Sequence, residues 1–215
     1  MDKNAGAITM KMLERTKQAL EKNNINAYIA KDSEAACRIA QSLMHEGAVV
    51  SCGGSMTLEE CKMMDILRSG AYNFLDRSTA EDVDALYRKC FSADYYLCSS
   101  NAVTENGELY NVDGNSNRVA SICYGPKKVI MIVGRNKIVR DLAEAQKRVK
   151  EIAAPANCLR LSKKTPCTFS GKCIGKDMCE GCLGEDRICA NYVVSAYQRY
   201  AGRINVILVD EVLGY

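Results

Sequence analysis

Histidine occurs once in the 215 residues, at His45. Any Ser-His-Asp or Cys-His machinery would have to run through that single imidazole. It falls in the last turn of an expected helix, where a cation is mildly favoured, so a structural or surface place is the better reading. No run reaches the roughly 18 to 20 apolar residues that span a bilayer. The opening "MDKNAGAITMKMLERTKQ" has no signal-peptide core, so the expected compartment is the reducing cytoplasm. An excess of one charge is also missing: 29 Lys and Arg stand against 26 Asp and Glu. That balance gives no reason to invoke nucleic acid or a membrane surface. The most basic run, "YGPKKVIMIVGRNKIVR", straddles an apolar strand and reads as solvated strand ends. Walker and dinucleotide fingerprints are absent, as are internal repeats and disordered linkers. The 11 tyrosines are scattered and suggest no stacking platform.

What is present is alternation. Residues 8–22 carry apolar side chains at helical spacing, and "NAYIA" (26–30) reads as a strand. Asp32 or Ser33 can cap the next helix, which Gly47 stops. "AVVSC" (48–52) is a second strand, and Thr57 opens a helix through "LEECKMMDILRSG". A strand around "AYNFL", a helix over 79–92 and the strand "DYYLCSS" (94–100) follow. "ENGELY" looks like a hairpin around Asn106-Gly107. "VIMIVG" (129–134) is a buried strand. A long helix is expected over 137–154, ended by Pro155, and "RINVILVDEVLG" (203–214) supplies the last strand. Strands alternating with helices across short polar turns imply an α/β fold: a mainly parallel sheet with helices on both faces.

Two segments can hold a small molecule. In "VVSCGGSMTLEE" a buried strand runs into Gly53, Gly54, Ser55 and Thr57, where free N–H groups can receive phosphate or carboxylate. The plainer reading is a tight turn with a Ser/Thr cap. In "SSNAVTENGELYNVDGNSNRV" (99–119), Arg118 can clamp a carboxylate, and Glu105 or Asp113 can act as a general base. The plainer reading there is a polar hairpin connection with Asx turns.

There are twelve cysteines, and a reducing compartment argues against a disulfide scaffold. Cys37, Cys52, Cys61, Cys90, Cys98, Cys123 and Cys158 lie singly in expected helices and strands, where core filling is the default. Cys167, Cys173, Cys179, Cys182 and Cys189 instead fall in a Gly- and Lys-rich stretch with little to pack against. Lys172, Lys176, Arg187 and backbone N–H groups can support thiolates there. All-cysteine ligation suits either a [4Fe–4S] cluster or a structural Zn²⁺, and only four ligands are needed. The irregular gaps favour the cluster.

The stretches "CGGSMTLEE", "SSNAVTENGELYNVDGNSNRVASICYGPKKVIMIVGRNKIV" and "GRINVILVDEVLGY" resemble the LUD-domain (lactate-utilisation, formerly DUF162) family over residues 10–215. The resemblance implies a single LUD domain over 1–215 with a NagB/RpiA/CoA-transferase-like fold, and a Cys-rich metal-binding insertion over 165–189. It implies that Gly53, Gly54, Ser55 and Thr57 form an anion loop. Asn101, Glu105, Asp113, Gly114, Asn117 and Arg118 would line the facing wall. The family pattern T-P-C…G-K-C…C…D-R-I-C matches Cys167, Cys173, Cys182 and Cys189. An apparent insertion, "IGKDMCEG", brings Cys179 and leaves open whether Cys179 or Cys182 ligates.

Some relatives belong to multi-subunit systems that oxidise lactate to pyruvate with iron–sulfur partners. One expectation is therefore a subunit in oxidation of lactate or a related acid, with oxidoreductase partners or as a homo-oligomer. The alternatives are a stand-alone enzyme, or a non-catalytic binding protein, for a small anionic metabolite (sugar phosphate, acyl-CoA or organic acid) with structural zinc. The fold does not decide among them.

Overall fold

The computed structural model describes residues 2–215. Six parallel strands form the main sheet: β1 (Asn26–Ala30), β2 (Val49–Cys52), β3 (Asn73–Leu75), β4 (Tyr95–Cys98), β7 (Lys128–Gly134) and β10 (Ile204–Val209), in the order β1-β10-β7-β4-β2-β3. The central strands β7 and β10 are nearly continuous apolar runs because both their faces are covered. Ile130, Ile132, Ile207 and Val209 point to one face. There they meet Ala36 and Ala40 of α2 (Ser33–Ser42), Leu58 of α3 (Met56–Glu60) and Met63 and Leu67 of α4 (Met63–Leu67). Val129, Met131, Val133, Val206 and Leu208 point to the other, against Leu13 and Leu20 of α1 (Lys3–Lys22) and Ile122 of α6 (Asn117–Cys123). This is the period-two alternation of a strand turned into two cores.

Helix starts follow local chemistry. Asp32 caps α2 through the Ala35 N–H at 2.8 Å, and Asp82 caps α5 (Val83–Lys89) through the Ala85 N–H at 2.9 Å. The single helix expected after Thr57 is broken, because Lys62 adopts a left-handed backbone between α3 and α4.

A second, mixed sheet of four strands was only partly foreseen: β8 (Ile138–Val139), β5 (Ala102–Thr104), β6 (Leu109–Asp113) and β9 (Asn191–Ser195), in that order. β5 and β6 form the expected hairpin, turned by Gly107 at φ +83°. Added Cβ atoms fail there for a tertiary reason as well, since one would lie 2.5 Å from the Ala19 carbonyl carbon of α1. Ala102, Tyr110 and Val112 of this sheet pack on Ala145 and Val149 of the helix behind it.

That helix corrects the reading of 137–154. Ile138 and Val139 are strand, Asp141 caps α7 (Leu142–Arg148), and Pro155 does not end the helix. A π turn over Val149–Ala153 carries it into α8 (Ala154–Arg160), with Pro155 in the first turn of the renewed α-helix. The wider turn accommodates a residue that has no N–H to give. The last strand stops at Val209 rather than 214. No helix of the described residues is long and apolar enough to cross a membrane.

Candidate functional site

The carboxyl ends of β2, β4 and β7, neighbours in the sheet, open into a cleft of about 410 Å³. Open parallel sheets bind ligands at this end. Gly54, Ser55 and Met56 come from beyond β2, Ser99, Ser100 and Asn101 from beyond β4, and Lys137 from beyond β7. The turn between β6 and α6 supplies Asp113, Gly114, Asn117 and Arg118, and the Cys-rich segment supplies Arg187, Ile188 and Cys189.

The structure divides the expected anion loop. Gly54 and Ser55 line the cleft, whereas Gly53 and Thr57 lie behind it. The Gly53 N–H is committed to the Leu97 carbonyl at 2.9 Å, and a Cβ there would meet the Tyr96 hydroxyl at 3.0 Å. Ser55 caps α3 by accepting from the Leu58 N–H at 3.4 Å. Thr57 is buried, donates to the Leu213 carbonyl at 3.2 Å and accepts from the Lys137 amine at 2.8 Å.

The facing wall is brought together apart from one member. Asn101, Asp113, Gly114, Asn117 and Arg118 line the cleft, but Glu105 does not. Glu105 sits at the β5–β6 hairpin in an ion pair with Arg15 of α1 at 2.8 Å. The expected base is thus placed outside the cleft, and Asp113 is the one of the two candidates that lines it. Glu105→Gln should cost under about 1 kcal/mol, the usual worth of an exposed pair, and leave ligand-induced thermal shifts unchanged. Arg118 is also not a free clamp. Its Nη1 donates to the Asn111 Oδ1 and Ser99 carbonyl, and its Nη2 to the Asn101 Oδ1 and Val112 carbonyl, at 2.7 to 3.3 Å. It is a strut that ties β4, β6 and α6 together. Asp113 accepts from the Arg118 and Val119 N–H groups at 2.9 and 3.1 Å and so anchors the start of α6.

Beside the cleft, Cys158, Cys167, Cys173, Cys182 and Cys189 line a second, narrow cavity of about 20 Å³. Two of the cysteines are placed in ways the sequence did not show. Cys158 is buried, as core filling expects, and also lines this cavity from α8. Cys179 is exposed and does not line the cavity. Cys173 Sγ receives the Gly175 N–H at 3.4 Å and the Lys150 amine at 3.8 Å, and Cys167 Sγ lies 3.1 Å from the Thr165 hydroxyl. Burial and then the neighbouring thiols push Cys189 up to about 12. The Tyr110 hydroxyl, within electrostatic reach of Cys189, is buried with no hydrogen-bond partner. Among the described residues no three His, Cys, Asp or Glu side chains form a ready ligand set for one ion.

The two cavities share a wall: Ala154, Arg187, Ile188 and Cys189 line both. Arg187 fixes that wall by donating to the carbonyls of Cys189 at 2.9 Å, Met178 at 3.0 Å and Cys182 at 3.4 Å. Gly114 permits the approach, since a Cβ there would lie 3.2 Å from the Ile188 Cα.

The profile of the LUD-domain family matches residues 13–209. The chain belongs to the LUD-domain family. The 1.70 Å crystal structure of a DUF162-family protein from Deinococcus radiodurans is similar in fold, with a TM-score of 0.54 at 15% identity, over 94% of this chain and 98% of that one. No curated protein matches the chain significantly.

Two cleft residues of this LUD domain escaped the sequence reading. Arg77 lies against Gly54, where a Cβ would come within 2.6 Å of Nη2, and no hydrogen bond or ion pair engages its guanidinium among the described residues. Lys137 is 3% exposed, contrary to the expectation that the basic run around it is solvated. Its Nζ donates to Thr57 Oγ1 at 2.8 Å and Ser99 Oγ at 3.2 Å. Burial, then the charges of Arg148 and Arg118, pulls its ammonium down to about 7. Beside Lys137, the five cationic side chains of Arg77, Arg118, Arg160, Lys163 and Arg187 line the cleft against the carboxylates of Asp113 and Glu185, with Lys163 also paired to Asp186 at 3.0 Å. Such a surplus attracts anions.

Proposed function

We propose that this LUD-domain protein takes part in the oxidation of lactate or a related small organic acid, holding the acid in the cationic cleft beside a cysteine-ligated [4Fe–4S] cluster. The observation that carries the reading is the shared wall of Arg187, Ile188 and Cys189 between the cleft and the thiol-lined cavity. Cys167, Cys173, Cys182 and Cys189 are the ligands assigned, with Cys158 as a fifth neighbouring thiol.

The donor chemistry fits. Every candidate ligand is a thiol, and Gly175 and Lys150 already donate toward the Cys173 sulfur. Among the described residues no three of these side chains are gathered as a ligand set, so either a cluster or a zinc ion would need the thiols to rearrange. A cluster would be seated by such a rearrangement. Between α9 (Pro166–Ser170) and β9 no regular helix or strand resists this. When bound, such a cluster supplies one-electron transfer. The chain itself binds the acid's carboxylate, with Arg77 as the unpartnered cation, and Arg187 orients the segment that separates acid from thiols.

Anaerobic reconstitution with iron and sulfide tests the reading. The expected result is about four iron and four sulfide per chain, with an EPR signal on reduction. A colourless protein holding one zinc and no sulfide would remove the redox role.

A second reading is favoured by the charge surplus. Five cations besides Lys137, against two carboxylates, exceed what a single carboxylate neutralises, which suits a stand-alone enzyme or binding protein for a multiply charged anion such as a sugar phosphate or acyl-CoA. Thermal shifts from phosphorylated compounds, larger than those from lactate and shrinking with salt, would favour it.

A further inference from the structure

Lys137 is a buried amine in the floor of the cleft, with two hydroxyls as its hydrogen-bond partners. No carboxylate forms an ion pair with it among the described residues, and the largest acidic influence, Glu60 of α3, is smaller than that of either Arg148 or Arg118. Buried lysines ordinarily keep their charge by pairing with a carboxylate; one surrounded by cations and hydroxyls is maintained as an available lone pair near neutral pH. Its position is set from several sides. Thr57 arrives from α3, Ser99 from the end of β4, and the Gly214 backbone crosses so closely that a Cβ there would lie 3.3 Å from Nζ. The same cleft presents Arg77 with no partner. A compound that carries both an anionic group and an electrophilic carbon uses both features, the guanidinium for the charge and the amine for the carbon.

We propose that Lys137 is a nucleophile that forms an imine with the carbonyl of a 2-oxo acid. This deepens the proposed function and rests on its placement of an organic acid in the cleft, because a 2-oxo acid is the oxidised form of a 2-hydroxy acid. The Nζ lone pair attacks the carbonyl carbon and the C–O π pair moves to oxygen. A proton passes from nitrogen to that oxygen, relayed by the Ser99 hydroxyl that lines the cleft, to give a carbinolamine. Loss of the hydroxyl with the remaining amine proton expels one water and leaves the C=N bond. No oxidant or reductant is required.

The experiment incubates the full chain with pyruvate or glyoxylate at neutral pH, reduces with borohydride and maps modified peptides by mass spectrometry. Thermal shifts with the same acids are recorded in parallel. The expected result is a reduced adduct on Lys137 at least tenfold above exposed lysines such as Lys31. Lys137→Arg, shown to be folded by circular dichroism, should lose that adduct. A thermal shift with label confined to surface lysines would overturn the imine and leave the organic-acid cleft standing. Neither shift nor Lys137 label would overturn both.

Discussion

Replacing Cys182 by alanine should abolish iron incorporation, while replacing Cys179 by alanine should leave it unchanged. The two residues are three apart in the sequence and equally plausible from spacing. Yet Cys182 lines the thiol cavity with Cys158, Cys167, Cys173 and Cys189, and Cys179 is exposed and does not line it. The Cys179 backbone is instead tied to Asp177, its N–H donating to Oδ1 at 2.8 Å. A filled thiolate site contributes on the order of 10 kcal/mol to ordering its segment. Losing one of four ligands should therefore remove the metal-dependent gain in thermal stability. A surface change at Cys179 should fall within about 0.5 kcal/mol of the parent. Iron content and melting temperature of the two variants, reconstituted side by side, check this. Equal loss in both would make Cys179 a ligand as well and contradict the set drawn from the cavity.

Lys137→Met should be more stable than the parent at pH 6, and the gap should narrow by about 2–3 kcal/mol by pH 9. The sign follows from the direction of the shift. The folded pKa is depressed from 10.5 to about 7, so between those values the unfolded chain holds the extra proton. Stability of the parent accordingly rises with pH through that window. Below it, folded and unfolded chains are both protonated and the full burial penalty remains. The facing charges are Arg148 from α7, Arg118 from α6 and Glu60 from α3, with the Cys98 thiol from β4; Thr57 and Ser99 are neutral. Denaturant midpoints of both proteins across this range measure the effect, and a pH-independent gap would mean that Lys137 is not titrating in the folded cleft.

Much of the fold was legible because buried strands and capped helices carry local signatures. "VIMIVG" and "INVILV" can only be strands covered on both faces, Asp32 caps where an acid precedes a helix, and Asn106-Gly107 turns a hairpin. The second sheet was harder. β9 is half-exposed and follows the irregular Cys-rich stretch, so its identity depends on β6, some 80 residues earlier. The π turn hid in an unbroken amphipathic pattern, where Pro155 reads as a stop.

The site was legible in its location more than in its roles. A diglycine after a strand marks the cleft, but which polar groups face it is a tertiary matter. Arg118 looked like a clamp and is consumed by four oxygens. Glu105 looked like a base and is held by Arg15. Arg77 sits in a short loop with no pattern around it, and Lys137 in a run whose charges look solvated. The thiols show the same limit: spacing identified the segment, but only folding brings Cys158 in from α8 and leaves Cys179 out. A signal for Lys137 was available in retrospect, since it lies three residues beyond a central buried strand, at the end where ligands bind.

The most direct test follows the EPR signal of the reduced, reconstituted protein while lactate or pyruvate is added to saturation, with binding verified by thermal shift. A common wall at Arg187 and Cys189 predicts that the bound acid changes the line shape or g-values. Superimposable spectra with the acid demonstrably bound would contradict the claim that cleft and thiols form one functional unit.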